Sequence, residues 1–395
     1  MNAAAKRHVV IACGGTGGHL FPGLAVAEQL SARDCSVTLL ISPKEVDQRA
    51  VQQAHGMEVV TLPAVGLTQG RRLAFLRGFV QSYRASRKLF RARRVDAALA
   101  MGGFTSAPPI LAAKRAGART FLHESNTIPG RANRWLSRAV HQAFVGFPQT
   151  AERLRTRLIT TTGTPVRPAF ENLNPTTCRT ALNLDPDHPV LVVTGGSQGA
   201  SGVNELVLNA LPLLERALPK LQLFWLAGTH DFDRVEKACA RGGMKSIVHA
   251  FFADMHLALG AASAVVSRAG ASSLAELAAV RLPAILVPYP AATDNHQLHN
   301  ALAFVETGAA RLMEQKTATP EQLVTLAEEL VSNERSRSTI QASLEKWQSP
   351  DAAGRIAETM LSEVQREHDR IAATNAGHCC SCGHDHHART MESAG

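Results

Sequence analysis

Val9-Val10-Ile11-Ala12-Cys13-Gly14-Gly15-Thr16-Gly17-Gly18-His19 runs from an apolar stretch into glycines and then into a helical pattern. Val190-Leu191-Val192-Val193-Thr194-Gly195-Gly196-Ser197-Gln198-Gly199-Ala200 repeats that design in the second half of the chain. A short, continuous run of β-branched and aliphatic residues marks a parallel strand covered on both faces. Glycines let backbone N–H groups approach an anion at a helix N-terminus, where the dipole is positive. One such turn is weak evidence for a ligand. Two of them, each after the first strand of its half, favour a pair of phosphate cradles over a pair of tight turns.

Working outward, apolar runs alternate with helical patterns twice. The predicted strands of the first half are His8–Cys13, Ser36–Ile41, Glu58–Leu62, Asp96–Met101, Thr120–His123 and Gln142–Phe147. Those of the second are Val190–Thr194, Gln222–Ala227, Ser246–Phe251, Ala264–Ser267, Ala284–Pro288 and Ala310–Met313. This alternation predicts two doubly wound, Rossmann-like α/β domains facing across a cleft. Gly163-Thr164-Pro165-Val166-Arg167-Pro168 stops regular structure between them. The expected division is an N-terminal domain over 1–165, a C-terminal domain over 166–350, a helix within 351–370 that packs back on the first domain, and a disordered tail over 371–395. A length of 395 residues suits that plan.

The chain is 45% hydrophobic and 19% charged, a globular balance. Its apolar stretches are too short and interrupted to read as transmembrane helices. Met1 to Arg7 does not lead into the apolar core of a signal peptide. Cys13, Cys35, Cys178 and Cys239 have no framework spacing, which reads as reduced thiols. A cytoplasmic body is expected. The net charge of +9 suits nucleic acid, anionic lipid or phosphorylated substrates. Much of it sits in Arg71 to Arg94, which holds Arg71, Arg72, Arg77, Arg84, Arg87, Lys88, Arg91, Arg93 and Arg94 and no acid. Leu73, Leu76, Phe79, Val80 and Tyr83 recur there at helical spacing. A basic helix with an apolar stripe can lie in an anionic lipid interface; a solvated helix with its stripe on the core is the competing reading. Aromatics at 5% and the lack of a nucleic-acid-binding motif argue against nucleic acid.

Two further loops run from strand to helix. Met101-Gly102-Gly103-Phe104-Thr105-Ser106 is one. Ser267-Arg268-Ala269-Gly270-Ala271-Ser272-Ser273-Leu274-Ala275-Glu276 is the other, with Arg268 as a phosphate ligand and Glu276 as an acceptor for ribose hydroxyls. A helix-facing structural glutamate is the competing reading of Glu276. A dinucleotide site would want an acid after the second strand, and Glu45 matches that role poorly. Asp185-Pro186-Asp187 and Asp231-Phe232-Asp233 read D-x-D, a metal pattern elsewhere, but lie in turn-like stretches that suit caps and surface acids.

In combination and in this order, Gly14-Gly15-Thr16-Gly17-Gly18-His19 with Phe21-Pro22-Gly23, His123-Glu124-Ser125-Asn126, Gly195-Gly196-Ser197-Gln198-Gly199-Ala200, Ser267-Arg268-Ala269-Gly270-Ala271 and Asp294-Asn295-His296-Gln297 resemble glycosyltransferase family 28. Within it they are similar to the enzymes that add N-acetylglucosamine to undecaprenyl-pyrophosphoryl-N-acetylmuramyl-pentapeptide, converting lipid I to lipid II of peptidoglycan synthesis. The resemblance implies a two-domain GT-B fold and an inverting transferase. It implies UDP-N-acetylglucosamine in the C-terminal half and lipid I in the N-terminal half. It also implies a peripheral position on the cytoplasmic face of the inner membrane, an anionic membrane surface and other cell-wall synthesis proteins as partners, and a link to cell shape and division. No cofactor is required, and Mg²⁺ on the donor diphosphate is compatible.

Carried over residue by residue, the resemblance implies that Thr16, Gly17, Gly18 and His19 line the cleft, with His19 near the reacting centre. Glu124 and Asn126 match the acidic and amide positions of one motif, Asn126 meeting the donor sugar. Arg167 would approach the diphosphate, and Ser197 and Gln198 would hold the phosphates, with Arg268 and Gly270 beside them. Phe252 stands where a backbone reads the uracil edge. Glu276 would bind ribose hydroxyls, and His296 and Gln297 sugar hydroxyls. Ser106-Ala107-Pro108 departs from the family's usual Ser-Gly-Pro, and Ser125 stands where Gln is common. Both departures fall in the acceptor half.

The chemistry needs an acceptor hydroxyl to attack an anomeric carbon while a nucleoside diphosphate leaves. A base helps by roughly 10²–10⁴-fold. His19 is the expected base, with its ordinary pKa of about 6.5; Glu124 as base, or a His19 that only orients the acceptor, stay open. Helix N-terminal amides with Arg167 or Arg268 would meet the leaving charge. The membrane-facing set is Arg72, Leu73, Leu76, Arg77, Phe79, Val80, Tyr83 and Arg84. The tail residues Cys379, Cys380, Cys382 and His384 are soft metal ligands without zinc-finger spacing. The competing functions are transfer to another lipid acceptor, nucleotide-sugar epimerisation without lipid, and a non-catalytic membrane protein.

Overall fold

The two apolar openings are strands, and each begins a parallel sheet. In the computed structural model of the chain, β1 (His8–Ala12) and β8 (Val190–Thr194) are buried along their whole length. The structure describes residues 6–15, 17–44, 47–48, 51, 56–63, 72–196 and 199–379, with the side chains of Arg72 and of 375–379 left out. The glycine-loop residues Thr16, Ser197 and Gln198, and the tail residues Cys380, Cys382 and His384, lie outside the described residues, as does the side chain of Cys379.

The first sheet adds β2 (Ser36–Ile41), β3 (Glu58–Thr61), β4 (Ala97–Ala100), β5 (Arg119–Glu124), β6 (Gln142–Val145) and β7 (Leu158–Thr161), in the order β3-β2-β1-β4-β5-β6-β7. The second adds β9 (Gln222–Leu226), β10 (Ser246–His249), β11 (Ala264–Ser267), β12 (Ala284–Leu286) and β13 (Arg311–Leu312), in the order β10-β9-β8-β11-β12-β13. Every pairing is parallel, for example Val9 with Val37 and Val193 with Trp225.

Period-two alternation splits β1 between two cores. Val9 and Ile11 join a cluster under the first helix, and Val10 and Ala12 join another on the opposite face. The helices that cover the sheets are α1 (Gly17–Ala32), α2 (Arg72–Ala92), α3 (Ala107–Arg115), α4 (Arg131–Leu136), α5 (Pro175–Ala181), α6 (Ser201–Ala217), α7 (Phe232–Arg241), α8 (Met255–Ala261), α9 (Ala271–Ala279), α10 (His296–Glu306), α11 (Pro320–Ser332), α12 (Glu334–Glu345) and α13 (Ala352–Cys379). Helix α13 returns to the first domain, where Ile356, Ala357, Met360 and Val364 enter the α1 core. Where the domains join, Trp347 stacks on Phe304 at 4.4 Å between ring centres, and Phe147 of the first domain lies 5.5 Å from Trp347.

Strand order places the site. In the first sheet the chain works outward from β1 to β3 and then returns to β4 on the other side; in the second it does the same from β8 to β10 and back to β11. Ligands of such sheets bind beyond the strand ends where the order reverses. The loops after β1, β4, β8 and β11 are the four glycine loops.

Two elements differ from the sequence reading. β7 is an additional edge strand whose residues Leu158, Ile159, Thr160 and Thr161 are exposed or half-buried. It lacks the continuous apolar run that marks the inner strands. Helix α13 runs to Cys379, past the expected end at 370 and into the stretch 371–395 expected as a disordered tail. From Gln365 to Thr374 its residues are exposed or half-buried, so apolar periodicity gave no sign of that stretch.

Candidate active site

The four glycine loops converge. Gly17 begins α1 and Gly270 is the N-cap of α9. Across the crevice between the domains, the Ser272 hydroxyl in the first turn of α9 donates to the Gly18 carbonyl in the first turn of α1 at 2.8 Å. Two helix N-termini therefore meet at one place, each with N–H groups that have no intrahelical partner and a positive dipole end. A cavity of about 980 Å³ opens there. Its lining includes Gly17, Gly18, His19, Glu124, Asn126, Arg167, Gly196, Phe252, Arg268, Gly270, Glu276, His296 and Gln297.

His19 stands in the first turn of α1 and lies close against the third glycine loop. Gly102 has φ +119°, and a Cβ there would come within 2.8 Å of His19 Nε2, so the loop backbone accepts the ring only because this residue has no side chain. Burial pushes the His19 pKa down; the charges of Glu124 and Asp47 push it up, and those of Lys44 and His296 push it down. The net direction is downward, which leaves a neutral imidazole at pH 7, as a general base requires.

Glu124 ends β5 and is buried. Its Oε1 accepts from the Asn126 amide N–H at 2.9 Å and from Asn126 Nδ2 at 3.0 Å. Its Oε2 accepts from the Gly130 amide at 3.0 Å and from Asn133 Nδ2 at 2.7 Å. Four donors fill the carboxylate. The geometry makes Glu124 the organiser of the 124–133 loop.

Asn126 is held from both domains. Its Oδ1 accepts from Asn300 Nδ2 at 3.0 Å, and that nitrogen also donates to the Ala269 carbonyl at 3.1 Å. The Thr127 amide and hydroxyl both donate to Asn300 Oδ1 at 2.9 Å. Asn300 is fully buried and all its contacts here are satisfied, which makes it a bridge between β5's loop and the second domain. Sequence reasoning did not single it out. Its signal was a polar residue one turn after Gln297 on α10, among alanines that face the core.

Arg167, in the interdomain linker, lies over the Phe21 ring at 4.7 Å and near Phe170 at 5.6 Å. Burial pushes the Glu276 carboxyl up to about 7, with the Arg167 charge pulling it back. Phe252 packs edge-on against Phe224 at 5.1 Å beside the cavity. His296 Nδ1 lies 2.8 Å from the Thr293 carbonyl, and Gln297 Oε1 accepts from the Tyr289 amide at 2.9 Å. Arg268, expected on the phosphates, donates instead to the Val287 and Pro288 carbonyls at 2.9 and 3.1 Å and to Gln315 Oε1 at 2.7 Å. In this conformation it braces the loop after β12.

The remaining sequence features fall outside the cavity. The D-x-D runs serve local structure: Asp185 Oδ1 accepts from the Asp187 amide, and Asp231 Oδ2 from Asn204 Nδ2. On α2, Leu73, Leu76 and Val80 are 83%, 56% and 44% exposed, while Phe79 and Tyr83 pack against the sheet core. Arg77 and Arg84 are exposed beside them. Among the described residues no helix is long and apolar enough to cross a membrane, and no group of three or more His, Cys, Asp or Glu could hold a metal ion.

Comparison with known proteins agrees with this fold. Residues 9–145 match the glycosyltransferase family 28 N-terminal domain, and residues 190–356 the glycosyltransferase family 28 C-terminal domain. A curated UDP-N-acetylglucosamine--N-acetylmuramyl-(pentapeptide) pyrophosphoryl-undecaprenol N-acetylglucosamine transferase of Anaeromyxobacter dehalogenans is 34% identical over 378 residues, covering 91% of this chain and 93% of its own. The crystal structure of Acinetobacter baumannii MurG superposes with a TM-score of 0.68 at 27% identity, over 90% of this chain and 99% of that one. A UDP-N-acetylglucosamine 2-epimerase superposes with a TM-score of 0.66 at 13% identity, over 91% of this chain and 97% of that one, a likeness of fold alone.

Proposed function

The chain belongs to glycosyltransferase family 28, and from that premise we propose that it transfers N-acetylglucosamine from UDP-N-acetylglucosamine to the N-acetylmuramyl sugar of undecaprenyl-linked lipid I, forming lipid II. The observation that carries the reading is the 2.8 Å contact between the first turns of α1 and α9, which aims two helix N-termini at one cavity. A nucleoside diphosphate is the anion that such a pair suits.

The reaction follows from the lining residues. The acceptor hydroxyl enters beside His19, gives its proton to the neutral imidazole and attacks the anomeric carbon. The bond from that carbon to the diphosphate oxygen breaks with its electron pair, and UDP leaves with inversion at carbon. Amides at the start of α9 and the Arg167 guanidinium meet the charge that grows on the leaving group. Glu276 takes the ribose hydroxyls, the backbone at Phe252 the uracil, and Asn126, His296 and Gln297 the sugar. A Mg²⁺ carried by the donor diphosphate is compatible with this site and enters no step.

The enzyme works as a peripheral protein on the cytoplasmic face of the inner membrane, beside other cell-wall synthesis proteins, and its product supports cell shape and division. Exposed Leu73, Leu76 and Val80, lying on one helix with Arg77 and Arg84, support contact with an anionic membrane surface. Each basic residue near an anionic surface contributes about 1 kcal/mol.

The test is transfer from radiolabelled UDP-N-acetylglucosamine to lipid I, with a diacylglycerol acceptor and a no-lipid control alongside. Lipid II is expected, and His19→Ala should lower kcat by roughly 10²–10⁴-fold with UDP affinity kept. Turnover of the donor without lipid, or transfer only to the other acceptor, contradicts the proposal.

A further inference from the structure

The exit of β2 carries a buried charge that the reaction as described does not use. Asp47 is 0% exposed. Its Oδ2 accepts from the Gly15 amide at 2.7 Å, the Ser42 amide at 3.2 Å and the Ser42 hydroxyl at 2.5 Å. Its Oδ1 is buried with no hydrogen-bond partner among the described residues. A carboxylate taken out of water with one oxygen unpartnered among the described residues carries a desolvation cost, set against the three hydrogen bonds to its other oxygen.

The first glycine loop rests on this group. A Cβ at Gly14 would come within 2.3 Å of the Ser42 nitrogen, so the turn and the β2 exit touch backbone to backbone. From the other side the Thr105 hydroxyl donates to the Gly14 carbonyl at 2.6 Å, and Lys44 Nζ donates to the Gly15 carbonyl at 2.8 Å. Because the Gly15 amide donates to Asp47, it is already engaged within the fold.

We propose that Asp47 is a positioning residue of the reacting centre: its carboxylate holds the Gly14-Gly15 turn against the exit of β2 and so sets where α1 begins and where His19 stands. The inference rests on the reading of His19 as the base. Its charge has a second effect. Among the described residues, the charges that act on His19 include Glu124 at the end of β5 and Asp47 after β2, which raise its basicity, and Lys44 after β2 and His296 on α10, which lower it, against a larger lowering by burial. His123, on β5, is a further neighbour. Without Asp47 the imidazole becomes a weaker base.

Two variants separate the parts. Asp47→Asn keeps an oxygen for Gly15 and Ser42 and removes the charge. Asp47→Leu removes both. On the same preparations, UDP affinity and thermal stability report whether the fold is intact. The expected result is unchanged UDP affinity and a Tm no lower than the parent's for Asp47→Asn. Its kcat should fall about 10-fold, and the acid limb of the kcat/KM profile should move to lower pH, because a His19 of lower pKa loses its proton earlier. Asp47→Leu should lose about 100-fold in kcat, the scale of a misplaced catalytic group. Parent-like kcat and pH profile in both variants overturn the proposal, and so does an activity loss that tracks loss of UDP binding. His19→Ala run in parallel keeps the readings apart. If it is inactive while the Asp47 variants match the parent, this inference alone fails; if it keeps full activity, the base assignment fails and this inference with it.

Discussion

Glu124 and Glu276 face the same cavity, and their surroundings give them different work. Four donors surround Glu124, so its lone pairs are spent on the 124–133 loop. Burial holds Glu276 near 7, so it keeps its proton until about neutral pH. Two ribose hydroxyls that each donate to one of its oxygens are best met by the ionised form. UDP binding should therefore tighten as pH rises through 7 and release a proton. The same raised value means that the unfolded chain loses this proton first, so the fold gives up stability as pH climbs from the usual carboxylate range towards 7. Glu276→Gln should abolish the pH dependence of binding and weaken UDP by about 10–100-fold, the loss of about 1.5–3 kcal/mol for hydrogen bonds to a charged group. Calorimetry at pH 6 and pH 8 checks both effects; an unchanged affinity would remove Glu276 from the ribose. At this scale the sequence showed groups that lie in the glycine loops or in motifs beside them, such as His19 and Glu276. It did not show Asp47 or Asn300. Each acts on a partner distant in the chain, Gly15 from Asp47 and Asn126 from Asn300, and only the folded sheet brings them together.

Helix α2 shows how one element divides its surface. Phe79 and Tyr83 pack on the sheet, and Leu73, Leu76 and Val80 face out with the arginines. Replacing Leu73, Leu76 and Val80 together by serine should reduce binding to anionic vesicles at least tenfold, since exposing or burying each such side chain shifts partition by about 1 kcal/mol or more. Stability should change little, because these side chains already sit in water. Transfer to detergent-solubilised acceptor should persist. Vesicle binding equal to the parent's would move the membrane face elsewhere. The inner strands were legible because burial on both faces demands continuous apolar runs; Ser36–Ile41, Val190–Thr194 and Ala264–Ser267 stand where those runs stand. The edge strand Leu158–Thr161 escaped because it satisfies no such demand. Several strands end earlier than their apolar runs, as at Ala100 and His249, where the chain turns off the sheet to build a loop of the site.

For the whole molecule, the fold explains why the chemistry sits between domains rather than within one. Each sheet reverses its strand order once, each reversal opens a helix N-terminus, and the join at Phe147, Phe304 and Trp347 turns the two openings towards each other. Arg134 and Asp294 pair across the same crevice at 2.6 Å, a partly exposed contact that contributes at most about 1 kcal/mol. A crystal structure with UDP-N-acetylglucosamine bound tests this account most directly. It should show the diphosphate within about 3 Å of amides at the start of α9, with the sugar turned towards His19. A diphosphate bound outside the cavity, or a bound state in which the first turns of α1 and α9 point away from each other, would contradict it.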